Sequence, residues 1–398
     1  MDYAAEDFTP EQIERSRAYK RDARPLMIVS LLLGLAVPLV LGLTPAGAGL
    51  VRAAGDVAGG GWVAGALLGS VALSVLGLLI GLPVRMWSEV VGRRWGLSRR
   101  GWGLFAADTA KGFGIGAVLT AAAVGGFYFL LRHAGDAWWV WAGLAAAGLA
   151  VLASFVMPVV IEPLFNKFRP LPAGPLRERL MALVAESGVQ VREILVSDSS
   201  KRTTAANAYV SGFGKTRRLV VWDTTTDSLD TDEIAAVAAH ELGHAARRDV
   251  LVGTLLGAVG AAVGVVLLAA GLHWSPLLDA AGVAHVDDPR SQALVRAILA
   301  AIGLVGEPWG LAYSRYIESR ADGYALDLVR DPDTVVRMER ALAVQNIADL
   351  RPRRYEILLR YTHPPIVERI AHARRWAAEH DVPIPKPLSA ASKEVGED

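Results

Sequence analysis

The sequence predicts a mainly α, polytopic membrane protein with a small β-sheet beside one metal-binding helix. Three observations predict it. Six apolar runs of roughly bilayer-crossing length punctuate the chain. Between the fourth and fifth runs lies a polar stretch with short alternating segments of strand type. That stretch ends in Ala235-Ala-Val-Ala-Ala-His240-Glu241-Leu-Gly-His244, a helix-forming segment with two histidines on one face.

Composition sets the frame. The chain has 398 residues, 53% of them apolar, and a mean hydropathy of +0.33, more oily than a typical soluble domain. Net charge is +1, so no nucleic-acid partner is expected. There is no cysteine, which excludes disulfides, thiolate metal sites and cysteine nucleophiles.

Taken in order, residues 1–25 form a polar N-terminal segment with Arg15, Arg17, Lys20, Arg21 and Arg24. A cleavable secretory signal would place an apolar core there, so none is expected. Residues 26–161 form an N-terminal membrane region of four spans: Leu26 to Leu43, Gly61 to Val84, Gly112 to Leu131, and Ala137 to Ile161, the last bent at Pro158. Residues 162–249 read as a first catalytic part. It holds a linker at Pro170 to Pro175, a helix from Leu176 to Ser187, and strands at Arg192 to Ser197, Ala206 to Ser211 and Leu219 to Trp222. The turn-forming Gly212 to Thr216 joins the last two. Residues 250–313 hold two further spans, Val250 to Leu272 and a weaker Val295 to Tyr313 interrupted by Glu307 and Pro308. Glu307 would be an ionisable group at membrane depth, facing a bundle interior or a wet cavity. Residues 314–382 are helical and charged, and 383–398 are a Pro-rich mobile tail.

Basic residues cluster before span one, between spans two and three, between four and five, and after six, whereas 44–60, 132–136 and 273–294 carry few. Six spans put every basic segment on one side, which the positive-inside rule makes cytoplasmic. Both termini and the opening of the His240 site are then cytoplasmic.

The chemistry centres on His240, Glu241 and His244. Histidines four apart can share a metal, and a glutamate after the first can reach a water on it, which is the pattern of zinc peptidases. Asp230 or Thr231 can cap this helix. A catalytic Zn²⁺ site needs a third protein ligand. Two downstream groups offer one: Ser314-Arg-Tyr-Ile-Glu318-Ser-Arg-Ala-Asp322, and Thr362-His363-Pro-Pro365. Glu318 and Asp322 share a helix face, so Glu318 could bind metal while Asp322 fixes a histidine tautomer. An ordinary charged helix surface is the alternative. Asp249 could support the site too, but reads better as the start of span five. His133, His273 and His285 fall in outer loops, and His372 and His380 on a charged C-terminal helix.

These motifs resemble the CAAX prenyl protease type 1 family of integral membrane zinc metalloproteases, of the gluzincin clan. The resemblance runs from about Phe8 to Ala373. It rests on Glu162-Pro-Leu-Phe-Asn-Lys-Phe168, Ser200-Lys-Arg-Thr203, Asn207-Ala-Tyr-Val-Ser-Gly-Phe-Gly214, His240 to His244, Ser314 to Asp322 and His363-Pro-Pro-Ile-Val-Glu-Arg369. It implies a helical barrel enclosing a water-filled chamber, which would also account for Glu307. It implies Glu318 as third zinc ligand, Asp322 as its support, and His363 near the zinc. Eukaryotic members have a seventh span before the segment resembling Phe8 to Tyr19. Six are expected here, with a less closed barrel or another element in the gap.

The expected reaction is hydrolysis of a hydrophobic or prenylated peptide. Zn²⁺ on His240, His244 and Glu318 would lower the pKa of a water toward ~7, and Glu241 would take its proton and return one to the leaving amine. His363 would stabilise the oxyanion. Asn207 and Ala208 would lie on an edge strand that binds the peptide by strand addition. The expected partners are a peptide or protein substrate, possibly lipidated, and the bilayer. Two other readings compete: a quality-control protease of the heat-shock protein X type, with about four spans by resemblance, and a zinc-stabilised scaffold without activity. The scaffold leaves Glu241 with no duty.

Overall fold

A computed structural model describes residues 6–388 except Phe213. Most of the predicted tail, from residue 389, lies outside the described residues.

Six helices are long and apolar enough to cross a membrane. They number the expected six, but their boundaries differ instructively. Helix α1 (Pro10–Gly42) begins well before the first apolar run. Thr9 starts it with a capping box: Gln12 N donates to Thr9 Oγ1, and Thr9 N to Gln12 Oε1. Its basic first half docks on the polar domain through Lys20–Asp349 at 3.1 Å and Arg24–Glu356 at 3.0 Å. The polar N-terminal segment and span one are thus one rod, because docking satisfies the charges that mark the segment as separate.

Short α2 (Pro45–Asp56) leads to α3 (Trp62–Arg94), α4 (Trp102–His133) and α5 (Trp138–Val156). The bend expected at Pro158 is a π-helical turn, Met157–Ile161, where proline removes a backbone donor. Spans five and six are α9 (Asp249–Leu272) and α11 (Gln292–Val329), joined by α10 (Ser275–Ala281). Pro308 does not break α11, which runs unbroken through 38 residues; neighbouring helices re-satisfy freed backbone groups in membrane bundles. Large apolar side chains on these helices face outward, among them Leu32, Val118, Val159 and Val259. Such a surface is stable against lipid and costly in water.

The polar domain is built on a four-stranded sheet of order β1-β2-β4-β3. β1 (Phe168–Pro170) pairs antiparallel with β2 (Glu193–Ser197), β2 parallel with β4 (Arg218–Trp222), and β4 antiparallel with β3 (Ala208–Ser211). Three strands match the predicted ones. β1 is an addition, three residues running from the end of the Glu162 to Phe168 motif into the predicted linker, with too few residues to show alternation. Helix α6 (Pro175–Ser187) connects β1 to β2, and α7 (Asp223–Ser228) and α8 (Thr231–Ala246) follow β4. Helices α12 (Pro332–Gln345), α13 (Arg354–Arg360) and α14 (Ile366–Glu379) close the domain.

Helix α8 is its axis. Ala235 to Ala239 are all buried, in a core with Leu180, Leu219, Val336 and Ile370. Small side chains let neighbouring elements approach it on every side. Asp230 caps it, accepting from Asp232 N and Glu233 N, while Glu233 accepts from Asp230 N.

Within the bundle, a cavity of about 1030 Å³ lies among α1, α3, the start of α11 and the 97–105 segment. A second, of about 380 Å³, shares Tyr19, Ala23, Met27 and Arg360 with it and reaches Thr362 and His363. The bundle is therefore a helical barrel enclosing a chamber. Glu307 does not line this cavity; it is exposed on α11.

Candidate metal centre

His240 and His244 stand one turn apart on α8, and Glu318 meets them from α11. Gly243 makes that meeting possible. A Cβ there would lie 3.1 Å from Tyr324 and 3.3 Å from the Ala321 Cα, so the two helices touch backbone to backbone.

One donor atom from each of the three residues falls within a single cluster. His240 Nε2 is 3.2 Å from His244 Nε2 and 3.1 Å from Glu318 Oε2; His244 Nε2 is 3.6 Å from Glu318 Oε1. Tetrahedral ligands at about 2.0–2.1 Å from a metal sit about 3.3–3.4 Å apart, so the spacing fits one ion. Both far nitrogens are held: His240 Nδ1 donates to Asp322 at 2.9 Å and His244 Nδ1 to Asp249 at 3.0 Å. That leaves the Nε2 lone pairs converging with a carboxylate, a donor set that calls for a cation.

Electrostatics agree. Burial pushes the His240 pKa down, but hydrogen bonds to Asp322 and Glu318 outweigh it and hold it at about 10. Without metal the site therefore draws a proton to the place of the ion. His244 is raised too, against its burial, chiefly by Glu318. Burial raises the Glu241 carboxyl above its ordinary range, with the histidines and the Val210 backbone N–H pulling the other way.

Behind the cluster, Arg369 donates to Asp322 at 2.9 and 2.5 Å and to the buried Glu339 at 2.8 Å. His363 Nε2 lies 3.2 Å from Glu318 Oε2, with its side chain half exposed. Thr362 Oγ1 is 2.8 Å from His363 Nδ1.

Ala208 opens β3, an edge strand. Asn207 precedes it, its carbonyl accepting from Trp222 N and Thr225 Oγ1. Strand alternation turns the backbone of Ala206, Ala208 and Val210 to the open edge. The Asn346 amide engages both backbone groups of Ala206, at 2.9 and 3.2 Å, and Glu241 engages Val210. Ala208 lies between them.

Of the eight residues that sequence reasoning singled out, His240, His244 and Glu318 form the cluster, Asp322 and His363 contact it, and Glu241 lies beside the histidines, whereas Asn207 and Ala208 sit on the sheet edge with contacts to Trp222, Thr225 and Val221. The structure adds Asp249, which starts α9 as expected and also holds His244. Arg369 lay within a quoted motif without a role. Glu339 had no sequence signal, since a lone glutamate on an amphipathic helix reads as surface. The five remaining histidines contribute nothing to the cluster.

A helical membrane barrel with this cluster beside a small mixed sheet defines the class of membrane-embedded metalloproteases. The peptidase family M48 model matches residues 170–377, and the model of the CAAX prenyl protease N-terminal region, five membrane helices, matches residues 2–167. The chain belongs to peptidase family M48. It is 29% identical over 313 residues to an uncharacterized metalloprotease of Bacillus subtilis, covering 77% of this chain and 73% of that one. It is 25% identical over 338 residues to a CAAX prenyl protease 1 homolog of Caenorhabditis elegans, covering 77% and 76%. The crystal structure of S. mikatae Ste24p superposes with a TM-score of 0.79 at 24% identity, over 92% of this chain and 89% of that one. The protein is a multi-pass membrane metalloprotease acting on peptide or protein substrates.

Proposed function

We propose that the metal is Zn²⁺, held by His240, His244 and Glu318, and that the protein is an endopeptidase for hydrophobic or lipidated tails. The observation that carries this is the convergence of two carboxylate-braced imidazoles and a carboxylate on one point. A site of two nitrogens, one oxygen and no thiolate suits zinc with an open position. Zinc supplies Lewis acidity, which makes a water more acidic and polarises a carbonyl. Residues 162–249 and 314–382 act as one catalytic unit, each giving part of the ligand set.

The chain's own residues do the rest. Glu241 accepts a proton from the attacking water on a carboxylate oxygen and passes it to the departing amine nitrogen. Its burial raises its basicity toward that task. Asp322 and Asp249 keep the Nδ1 protons in place. Thr362 O–H donating to His363 Nδ1 sets the Nε2–H, which lies beside Glu318 at the cluster and can face a developing oxyanion there. The peptide lies along β3, with Ala208 offering its backbone and Asn207 setting the strand's start. That the two cavities share lining residues, and that the second reaches His363, supports a tail approaching the metal from the chamber. Loop charges support cytoplasmic termini and a cytoplasmic opening.

The test is metal analysis of detergent-purified protein together with cleavage of lipidated and unmodified peptides. One zinc per chain and chelator-sensitive cleavage are expected. Metal-free active protein overturns the assignment. A C-terminal reporter active only outside the cytoplasm overturns the orientation.

A further inference from the structure

The wall of the large cavity holds an arginine with no acid beside it. Arg296 lies in the second turn of α11, within a membrane span. Its Nη2 donates to Ser70 O at 3.1 Å and Ser74 Oγ at 3.3 Å, both on α3. Among the described residues no carboxylate pairs with it. Other arginines on the same wall are neutralised: Arg100 by Glu89, and Arg202 by Asp108 at 2.7 Å. Arg85 and Arg360 also line the cavity; Arg85 lies 11 residues, about 16 Å, beyond Ser74 on α3.

A guanidinium carries five N–H donors. Two are used on Nη2, and Arg296 lines the cavity. Val37, Leu41 and Leu73 line the same cavity. Ionisable groups at membrane depth are expensive unless paired or functional. The contacts Arg296 makes on α3 are both to neutral acceptors.

The site is separate from the metal. Glu318 follows Arg296 by 22 residues on one helix, about 33 Å along its axis. About ten extended residues would be needed to span that, so the residues flanking a scissile bond do not reach it.

We infer that Arg296 is the centre of a second binding site, at the end of the chamber away from the metal, which takes a phosphate-type oxyanion. The guanidinium's donors beyond the two bonded to α3 suit such an oxyanion, and the apolar wall suits a tail attached to it. The same chemistry comes from two sources, an anionic lipid headgroup and free inorganic phosphate.

The experiment uses full-length protein and Arg296→Gln, each reconstituted in nanodiscs of phosphatidylglycerol or phosphatidylcholine. Lipid retained after transfer to neutral detergent is counted by native mass spectrometry. In parallel, unfolding midpoints are measured in the same detergent with and without inorganic phosphate. A retained phosphatidylglycerol, favoured about tenfold over phosphatidylcholine in the wild type and not in Arg296→Gln, supports the site with a lipid source. A midpoint raised by phosphate in the wild type alone supports it with a free oxyanion. If neither preference nor shift appears in the wild type, or both survive in Arg296→Gln, the inference is overturned. Should Arg296→Gln not fold, Arg296→Lys takes its place, keeping the charge and losing the multidentate contact, with a weakened signal expected.

Discussion

His244 Nδ1 donates to Asp249 Oδ2 at 3.0 Å across the turn that joins α8 to α9. Arg248, between them, adopts the left-handed conformation at φ 58°, which folds the chain back and delivers the carboxylate. The first residue of a membrane span therefore braces a residue of the metal cluster, tying the bundle to the site.

Asp249→Ala should lower zinc affinity about 10–100-fold without removing α9. Competition with a chelator measures it. Asp322→Ala should do the same through His240. Unchanged affinity in both would show that the two braces are structural only.

Glu241→Gln should keep one zinc and lose about 10²–10⁴-fold in kcat. His244→Ala and Glu318→Ala should lose the metal as well. Zinc content and peptide cleavage on the same preparations separate base from ligands. Wild-type cleavage by Glu241→Gln would remove the general base.

Gly243→Ala should destabilise the polar domain by about 1–3 kcal/mol, because its Cβ would press on Tyr324 and the Ala321 backbone. The same shift should move Glu318 away from the histidines. A lowered unfolding midpoint together with weakened zinc retention is the expected pair; a stability loss with wild-type zinc affinity would separate packing from site geometry.

Zinc affinity should rise with pH. His240 in the metal-free chain carries its second proton below about 10, and metal must displace it. One proton released makes affinity climb about tenfold per pH unit across the window below that value and level off above it. Affinity flat from pH 6 to 8 would contradict the raised pKa.

Ala208→Pro should lower kcat/KM about tenfold at unchanged zinc content, since proline removes the N–H at the open edge. Steady-state kinetics with a short peptide checks this. No change would place the substrate elsewhere.

Much was legible in the chain itself. Apolar runs announced six spans because lipid demands about 20 such residues in a row, a local property. The helix with His240, Glu241 and His244 was legible because ligand spacing within one turn is also local. Boundaries were less so: α1 begins sixteen residues before the apolar run, because its basic turns are satisfied by Asp349 and Glu356 far along the chain.

What sequence by itself determined is the set of local periodicities: membrane helices, three of four strands, and two histidines on one helix face with a glutamate beside the first. Tertiary structure alone decided which distant groups meet. By spacing Glu318 and His363 were both candidates, the family resemblance pointed to Glu318, and the close packing of α8 on α11 at Gly243 is what sets Glu318 beside the histidines. Asp249, Arg369 and Glu339 gained their places, and Arg296 its isolation, from neighbours on other helices. Charge pairing acts through space, over a few ångströms, and the order of residues along a chain does not encode those distances directly.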